Sequence, residues 1–338
     1  MCVEHIAYIG LCGGVTMNYH SLSDFRVEHG AALDGLMTQV LGVLQHAGLV
    51  EFAHVAPDGI RVRASAGAAS FRCAPRLEQS LSQARALLAE LQAAPPAEGG
   101  AAAPTKRPAA ARPRAARERV ERLEAALAEL PSVPAAKPAA KPDEARVSST
   151  DPVARVMKMV DEGFRPAYNL QWAADTAARV IVGLAVTNLG SDQPQAVPLV
   201  KPVEERTGEL PDDWQMDGGF VNKAAREQVE AAGPVVYAPV PQPKDPTRER
   251  YAPLAGDSAR GAAWRSRMGT AAAKAIYRLR AAPLEGVNAR ARARHGLQPV
   301  RVRGPAKVLG VGLWLAVTPN LLIGRRWQSA QQEGAAAS

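Results

Sequence analysis

Cysteine and aromatic residues are scarce: of 338 residues, 3 are Cys, and Phe, Trp and Tyr together make up 5%. Cys2, Cys12 and Cys73 show neither CxxC nor Cys/His ligand spacing, which argues against a disulfide scaffold and a zinc ribbon and fits a reducing compartment. The histidines are scattered, His54 included, and none is assigned a ligand role. Trp172, Trp214, Trp264 and Trp314 read as core or interface side chains, because Trp is heavily buried on average. No Ser/His/Asp order, P-loop or dinucleotide fingerprint is found. Glu4 and His5 interrupt the N-terminus, which has no basic leader region, so no secretory signal is expected. The longest apolar run, Val308 to Gly324, is broken by Thr318, Pro319 and Asn320. It falls short of the roughly 20 residues that span a bilayer. It is expected to be a buried terminal helix, with no membrane partner.

The length suggests about two domains, or one domain carrying an insertion. Lys plus Arg number 41 against 33 Asp plus Glu, a net charge of +8, which favours a polyanionic partner, nucleic acid first.

Residues 29–48 place Leu33, Leu36, Met37, Val40, Leu41 and Leu44 at helical spacing. Val50 to Ser65 alternates around Asp58-Gly59 and predicts strand, turn, strand. From Pro75 to about Val147 the composition turns to Ala, Arg, Glu and Pro. Two helices, 76–93 and 114–130, are expected there as a hairpin insertion with Pro/Ala-rich connections. Beyond it, 167–173 and 180–187 predict an antiparallel strand pair turning near Asp175. A helix at 195–207, a strand ending at Met216, the turn Asp217-Gly218-Gly219, a helix at 222–232 and a strand at 235–238 follow. A long helix over 258–294, a short strand Val300 to Arg303 and the terminal helix complete the chain. The expected fold is a mixed α/β sheet with flanking helices, interrupted by the Ala/Arg-rich helical insertion.

Three acidic residues stand out in order: Asp58 and Asp217 at predicted strand ends and Glu285 in a late helix. Singly, Asp-Gly is a turn signal and a helical Glu is an exposed charge; the ordered combination carries the information. Gly218 and Gly219 would let a phosphate backbone approach closely. At about 100° per residue, Tyr277, Arg280, Glu285, Asn288 and Arg292 share one polar helix face. Lys106 to Arg122 is basic without aromatics, which suits either phosphate contact or a solvated helix with internal ion pairs. Arg290, Arg292, Arg294, Arg301, Arg303 and Lys307 form a second basic run, without an acid.

The segments Asp58-Gly59-Ile60-Arg61-Val62-Arg63-Ala64-Ser65-Ala66, Tyr168-Asn169-Leu170-Gln171, Asp217-Gly218-Gly219-Phe220 and Tyr277-x2-Arg280-x4-Glu285 together resemble bacterial insertion-sequence DDE transposases of the RNase H-like type, over about Gly13 to Arg325. The resemblance implies an RNase H-like catalytic domain split into 50–72 and 148–328. It also implies a helical insertion at 73–147, a remnant of an N-terminal helical region at 1–49 and a disordered tail at 329–338, the copy being N-terminally truncated. Asp58, Asp217 and Glu285 would be the catalytic metal ligands, because converging carboxylates need a neutralising cation, and oxygen ligands select Mg²⁺ or Mn²⁺. Gly218, Gly219, Tyr277, Arg280, Asn288, Arg292, Arg294, Arg301 and Arg303 would contact DNA. The implied activity is cleavage and strand transfer at the ends of a transposon. Its partners would be double-stranded DNA, both terminal inverted repeats and target, and a second copy of the chain. The location would be the cytoplasm, at the nucleoid. Two other readings stay open: a catalytically inactive, truncated DNA-binding remnant, and a stand-alone nuclease.

Overall fold

The computed structural model describes residues 28–93, 107–133, 145–280, 286–289, 297 and 299–337, with 9, 10, 12–15, 17, 18, 21, 24 and 25. Glu285, Arg292 and Arg294 lie outside the described residues. In chain order the elements are α1 (Gly30–His46), β1 (His54–Arg63), β2 (Phe71–Arg72), α2 (Ala74–Ala93), α3 (Arg107–Glu129), β3 (Val147–Ser148), β4 (Arg155–Lys158), β5 (Phe164–Asp175), β6 (Ile181–Thr187), α4 (Ala196–Thr207), β7 (Asp213–Gln215), α5 (Lys223–Ala232), β8 (Val235–Tyr237), α6 (Ala259–Gly269), α7 (Ala271–Arg278) and α8 (Pro305–Ala337). Contacts divide the chain into two compact units. One holds Met1–Val62, Asn169–Gln298 and Pro305–Ser338; the other holds Arg63–Tyr168 and Pro299–Gly304. The expected segment 148–328 is therefore shared between units, and α1 belongs to the first unit rather than to a separate N-terminal region.

The sheet runs β4-β5-β1-β7-β8, with β6 also paired to β5. In the first unit β7 pairs parallel with both β1 and β8, while β5 pairs antiparallel with β6. The result is a mixed α/β sheet with flanking helices. The β5–β6 pair and its turn match the expectation: Asp175 Oδ1 accepts from Ala178 N–H at 2.6 Å where the chain reverses. Helix α1 buries Leu33, Met37, Val40, Leu41 and Leu44. Leu36, expected on the same face, is 37% exposed, because the apolar stripe is narrower than the count of leucines suggests. Helix α8 packs along α1 and β6. Asn320, fully buried on α8, donates to Ile181 O at 2.8 Å and accepts from Ile181 N at 3.0 Å, so its amide satisfies both backbone groups of the first residue of β6.

In the second unit α2 and α3 form the expected hairpin. Leu77, Leu81 and Ala84 close on Val120, Leu123 and Ala126, with Val147 beside them. Each fully buried leucine stabilises this small core by about 1.5–3 kcal/mol. Glu118 of α3 pairs with Arg114 and Arg122 one turn away, at 3.8 Å each, and Glu124 pairs with Arg85 of α2 at 2.7 Å. Helix α3 thus shows the internal ion pairs of the solvated-helix reading. Strand β4 pairs antiparallel with the first residues of β5.

Five expectations need correction. Asp58-Gly59 is not a hairpin turn: β1 runs unbroken through both. A Cβ at Gly59 would stand 2.5 Å from Asp192 Oδ1, so a larger residue there would push these side chains aside. The helix expected over 258–294 is broken at Thr270, whose hydroxyl caps α7 by accepting from Ala273 N–H, and α7 ends at Arg278. One helical wheel therefore cannot carry Tyr277 through Arg292. Val300 to Arg303 is not a strand: Val300 N–H makes a single bond, to Arg63 O at 3.0 Å, and no ladder follows. Residues 329–337 continue α8 rather than forming a tail. The helix also runs unbroken through Thr318, Pro319 and Asn320, and over Pro305–Glu333 it is, by length and composition alone, long and apolar enough to cross a membrane, although one side of it packs on the protein.

Candidate active site

All the side chains described in this subsection belong to the first unit, except where stated. The register of β1 with β7 sets His54 opposite Asp213 and Val55 opposite Trp214. The first of these pairs touches, with His54 Nδ1 2.5 Å from Asp213 Oδ2. Parallel strands keep their offset, and residues two apart share a face. Asp58 and Asp217 each lie four residues beyond the first of these pairs, Asp58 within β1 and Asp217 two residues past the end of β7.

The turn after β7 follows from Asp217 itself. Its Oδ1 accepts from Gly219 N–H at 2.8 Å and Phe220 N–H at 3.0 Å, an Asx turn that Asp favours and a buried Phe220 anchors. Asp217 Oδ2 accepts from Arg280 Nη2 at 3.0 Å. Gly218 and Gly219 are exposed.

Asp58 is held from two sides. Oδ1 accepts from Gly59 N–H at 2.9 Å, and Oδ2 accepts from Asn288 Nδ2 at 2.7 Å. Asn288 Oδ1 in turn accepts from Trp172 Nε1 at 3.0 Å. Trp172, expected as a core or interface side chain, is fully buried and also fixes the amide beside Asp58. Burial pushes the Asp58 carboxyl above the usual range. The Arg280 guanidinium and Gly59 N–H act against this, and the charges of Asp217 and Asp192 reinforce it. Burial likewise raises the Tyr277 phenol, with Arg280 opposing and Asp217 adding to the shift.

The structure thus brings Asp58, Asp217, Tyr277, Arg280 and Asn288 into one neighbourhood. Arg301 and Arg303 are exposed in the second unit. Sequence reasoning missed Asp192, on the loop between β6 and α4. It accepts from Asn169 Nδ2 at 2.7 Å and Gln171 Nε2 at 2.8 Å. The available signal was two polar residues two apart, Asn169 and Gln171, on one face of an otherwise apolar strand.

The donor chemistry suits a hard divalent cation. It consists of carboxylates with no soft ligand among them, one of them raised chiefly by burial against the opposing charge of Arg280. Among the described residues no group of three His, Cys, Asp or Glu stands ready to hold a metal ion. The chain matches no family model, no curated protein and no solved structure.

Proposed function

We propose that this chain is a transposase of the DDE, RNase H-like type, performing metal-dependent phosphoryl transfer on DNA: cleavage at an element's ends and joining of those ends to a target. The observation that carries the reading is that Asp58 and Asp217, 159 residues apart, share one guanidinium: Arg280 donates to Asp217 at 3.0 Å and its charge also acts on Asp58, as does that of Asp217. The mixed sheet, with antiparallel strands on one side of β1 and parallel strands on the other, supports the RNase H-like architecture.

Asp58 and Asp217 would hold Mg²⁺ or Mn²⁺, with Glu285 as the third acid of the motif. A divalent cation there supplies neutralisation of phosphate charge and activation of a water or 3′-hydroxyl. The chain's own residues do the rest. Trp172 and Asn288 orient the Asp58 carboxylate, Arg280 places a fixed positive charge beside a phosphate, and Gly218 and Gly219 leave room for a DNA strand. Tyr277 borders the same charges. The net charge of +8 favours double-stranded DNA as the partner.

Plasmid DNA carrying the sequences that flank this gene, incubated with the protein and Mg²⁺, tests the reading. Cleaved ends and strand-transfer products support it. Cleavage without joining would point instead to a nuclease, and salt-dependent binding without cleavage to a DNA-binding remnant.

A further inference from the structure

Helix α8 packs one side along α1 and β6, and Val308, Leu313, Ala316 and Val317 are buried there. Its other side is apolar as well. At about 100° per residue, Lys307, Val311, Trp314, Leu321, Leu322 and Arg325 fall on one stripe. Of these, Trp314 is 37%, Leu321 50% and Leu322 45% exposed. Phe25, also exposed, sets its ring centroid 6.4 Å from that of Trp314. A helix at a protein surface ordinarily turns a polar face outward, so one that is apolar on both sides calls for a cover on both.

Charge decides what that cover is. Lys307 stands at one end of the stripe and Arg325 and Arg326 at the other, and no Asp or Glu occurs between Pro305 and Gln332. A second copy docked here by two-fold symmetry would press these cations on one another, parallel or antiparallel, with no carboxylate on the stripe to neutralise them. An anionic lipid surface neutralises them instead. Long basic side chains reach its headgroups while Trp and Leu enter the acyl boundary. We propose that the outer face of α8 docks on an anionic lipid bilayer and lies along its surface, with Trp314, Leu321 and Leu322 among the acyl chains and Lys307, Arg325 and Arg326 at the headgroups. The helix lies on the bilayer rather than spanning it, because α1 and β6 hold its inner side. This partner replaces the expectation of none in a membrane, and it is independent of the reading of Asp58 and Asp217.

The test is co-sedimentation of the full chain with vesicles of phosphatidylcholine, alone or mixed equally with phosphatidylglycerol, for wild type, L321Q/L322Q and R325Q/R326Q. Wild type is expected to sediment with the mixed vesicles only. Affinity should fall about tenfold or more in each double variant, with thermal unfolding in the absence of lipid close to wild type, as for surface positions. Wild type left in the supernatant by both vesicles, equal binding to both, or unchanged affinity in L321Q/L322Q overturns the proposal. A wild-type dimer that L321Q/L322Q dissolves, with no vesicle binding, overturns it in favour of a second copy. Should L321Q/L322Q fail to fold, quenching of wild-type tryptophan emission by brominated lipid in the mixed vesicles decides the matter. Trp172, Trp214 and Trp264 are buried, so quenching reports Trp314 and Trp327 on α8. Quenched emission supports the proposal, and unquenched emission contradicts it.

Discussion

Asn288 donates through Nδ2 to Asp58 Oδ2 at 2.7 Å across 230 positions of sequence, and its orientation is not free. Trp172 Nε1 can only donate, so Asn288 must turn its oxygen to Trp172 and its N–H to the carboxylate. A core tryptophan thereby sets the direction in which an acidic side chain can face.

Asn288→Asp keeps the acceptor for Trp172 and replaces the donor with a second carboxylate. A hydrogen bond to a charged group is worth about 1.5–3 kcal/mol. The loss should be small at low pH, where one of the two carboxyls stays protonated, and should grow as both ionise. Urea unfolding at pH 5 and pH 8 is expected to show the variant falling further behind wild type at the higher pH, and an equal gap would refute the arrangement.

Arg280 pairs with Asp217, whose side chain is 34% exposed, and so acts as a built-in counter-ion. Arg280→Gln should lower stability without cation by about 1 kcal/mol, the upper end for a partly exposed pair. It should also enlarge the rise in melting temperature on adding Mn²⁺, since the carboxylates then lack their internal partner. A smaller Mn²⁺ response than wild type would count against competition between guanidinium and cation.

Gly59→Ala would place a methyl 2.5 Å from Asp192 Oδ1 and 2.6 Å from Gln171 Nε2. Such overpacking costs about 1–3 kcal/mol. The expected outcome in urea unfolding is a folded but less stable chain. Wild-type stability would show that the space at Gly59 is not tight.

Much of this fold was legible because periodicity reports burial. The α2/α3 hairpin, the β5–β6 pair and the turn at Asp217 follow from leucine spacing, β-branched runs and Asp-Gly-Gly chemistry. The same Asp-Gly signal misled at Asp58, where the glycine serves the approach of Asp192 and not a reversal of the chain. Thr270 looked like one more residue of a long helix, whereas its hydroxyl caps a new one. The link from Trp172 to Asn288 and the gathering of Asp192 with Asn169 and Gln171 depend on strand register and loop path. Neither leaves a periodic trace.

A buried carboxyl in the second unit offers a pH test independent of the candidate site. Tyr168 OH and Gly304 N–H donate to Asp151 Oδ1 at 2.7 and 3.2 Å, while Oδ2 is buried without a partner. Burial pushes this carboxyl above the usual range, against the hydrogen bonds from Tyr168 and Gly304 and the charge of Arg303. Such a group gives stability that is complete below its unfolded-state value and is lost as pH rises through its folded value. Asp151→Asn keeps an oxygen for both donors and cannot ionise. Relative to wild type it should gain stability steadily from pH 4 to pH 7 in chemical denaturation, and a pH-independent difference would contradict the raised value.

The central claim is that Asp58 and Asp217, both acted on by Arg280, work as one centre for phosphoryl transfer. Single-turnover cleavage of plasmid DNA bearing the gene's flanking sequences measures it most directly, comparing wild type, Asp58→Asn and Asp217→Asn with and without Mg²⁺. Mg²⁺-dependent cleavage in wild type, lowered about a hundredfold or more by either substitution while DNA binding persists, is the predicted result, on the scale of losing a main electrostatic contributor. Cleavage that survives either substitution, or wild type that binds the DNA and never cuts it, would contradict the claim.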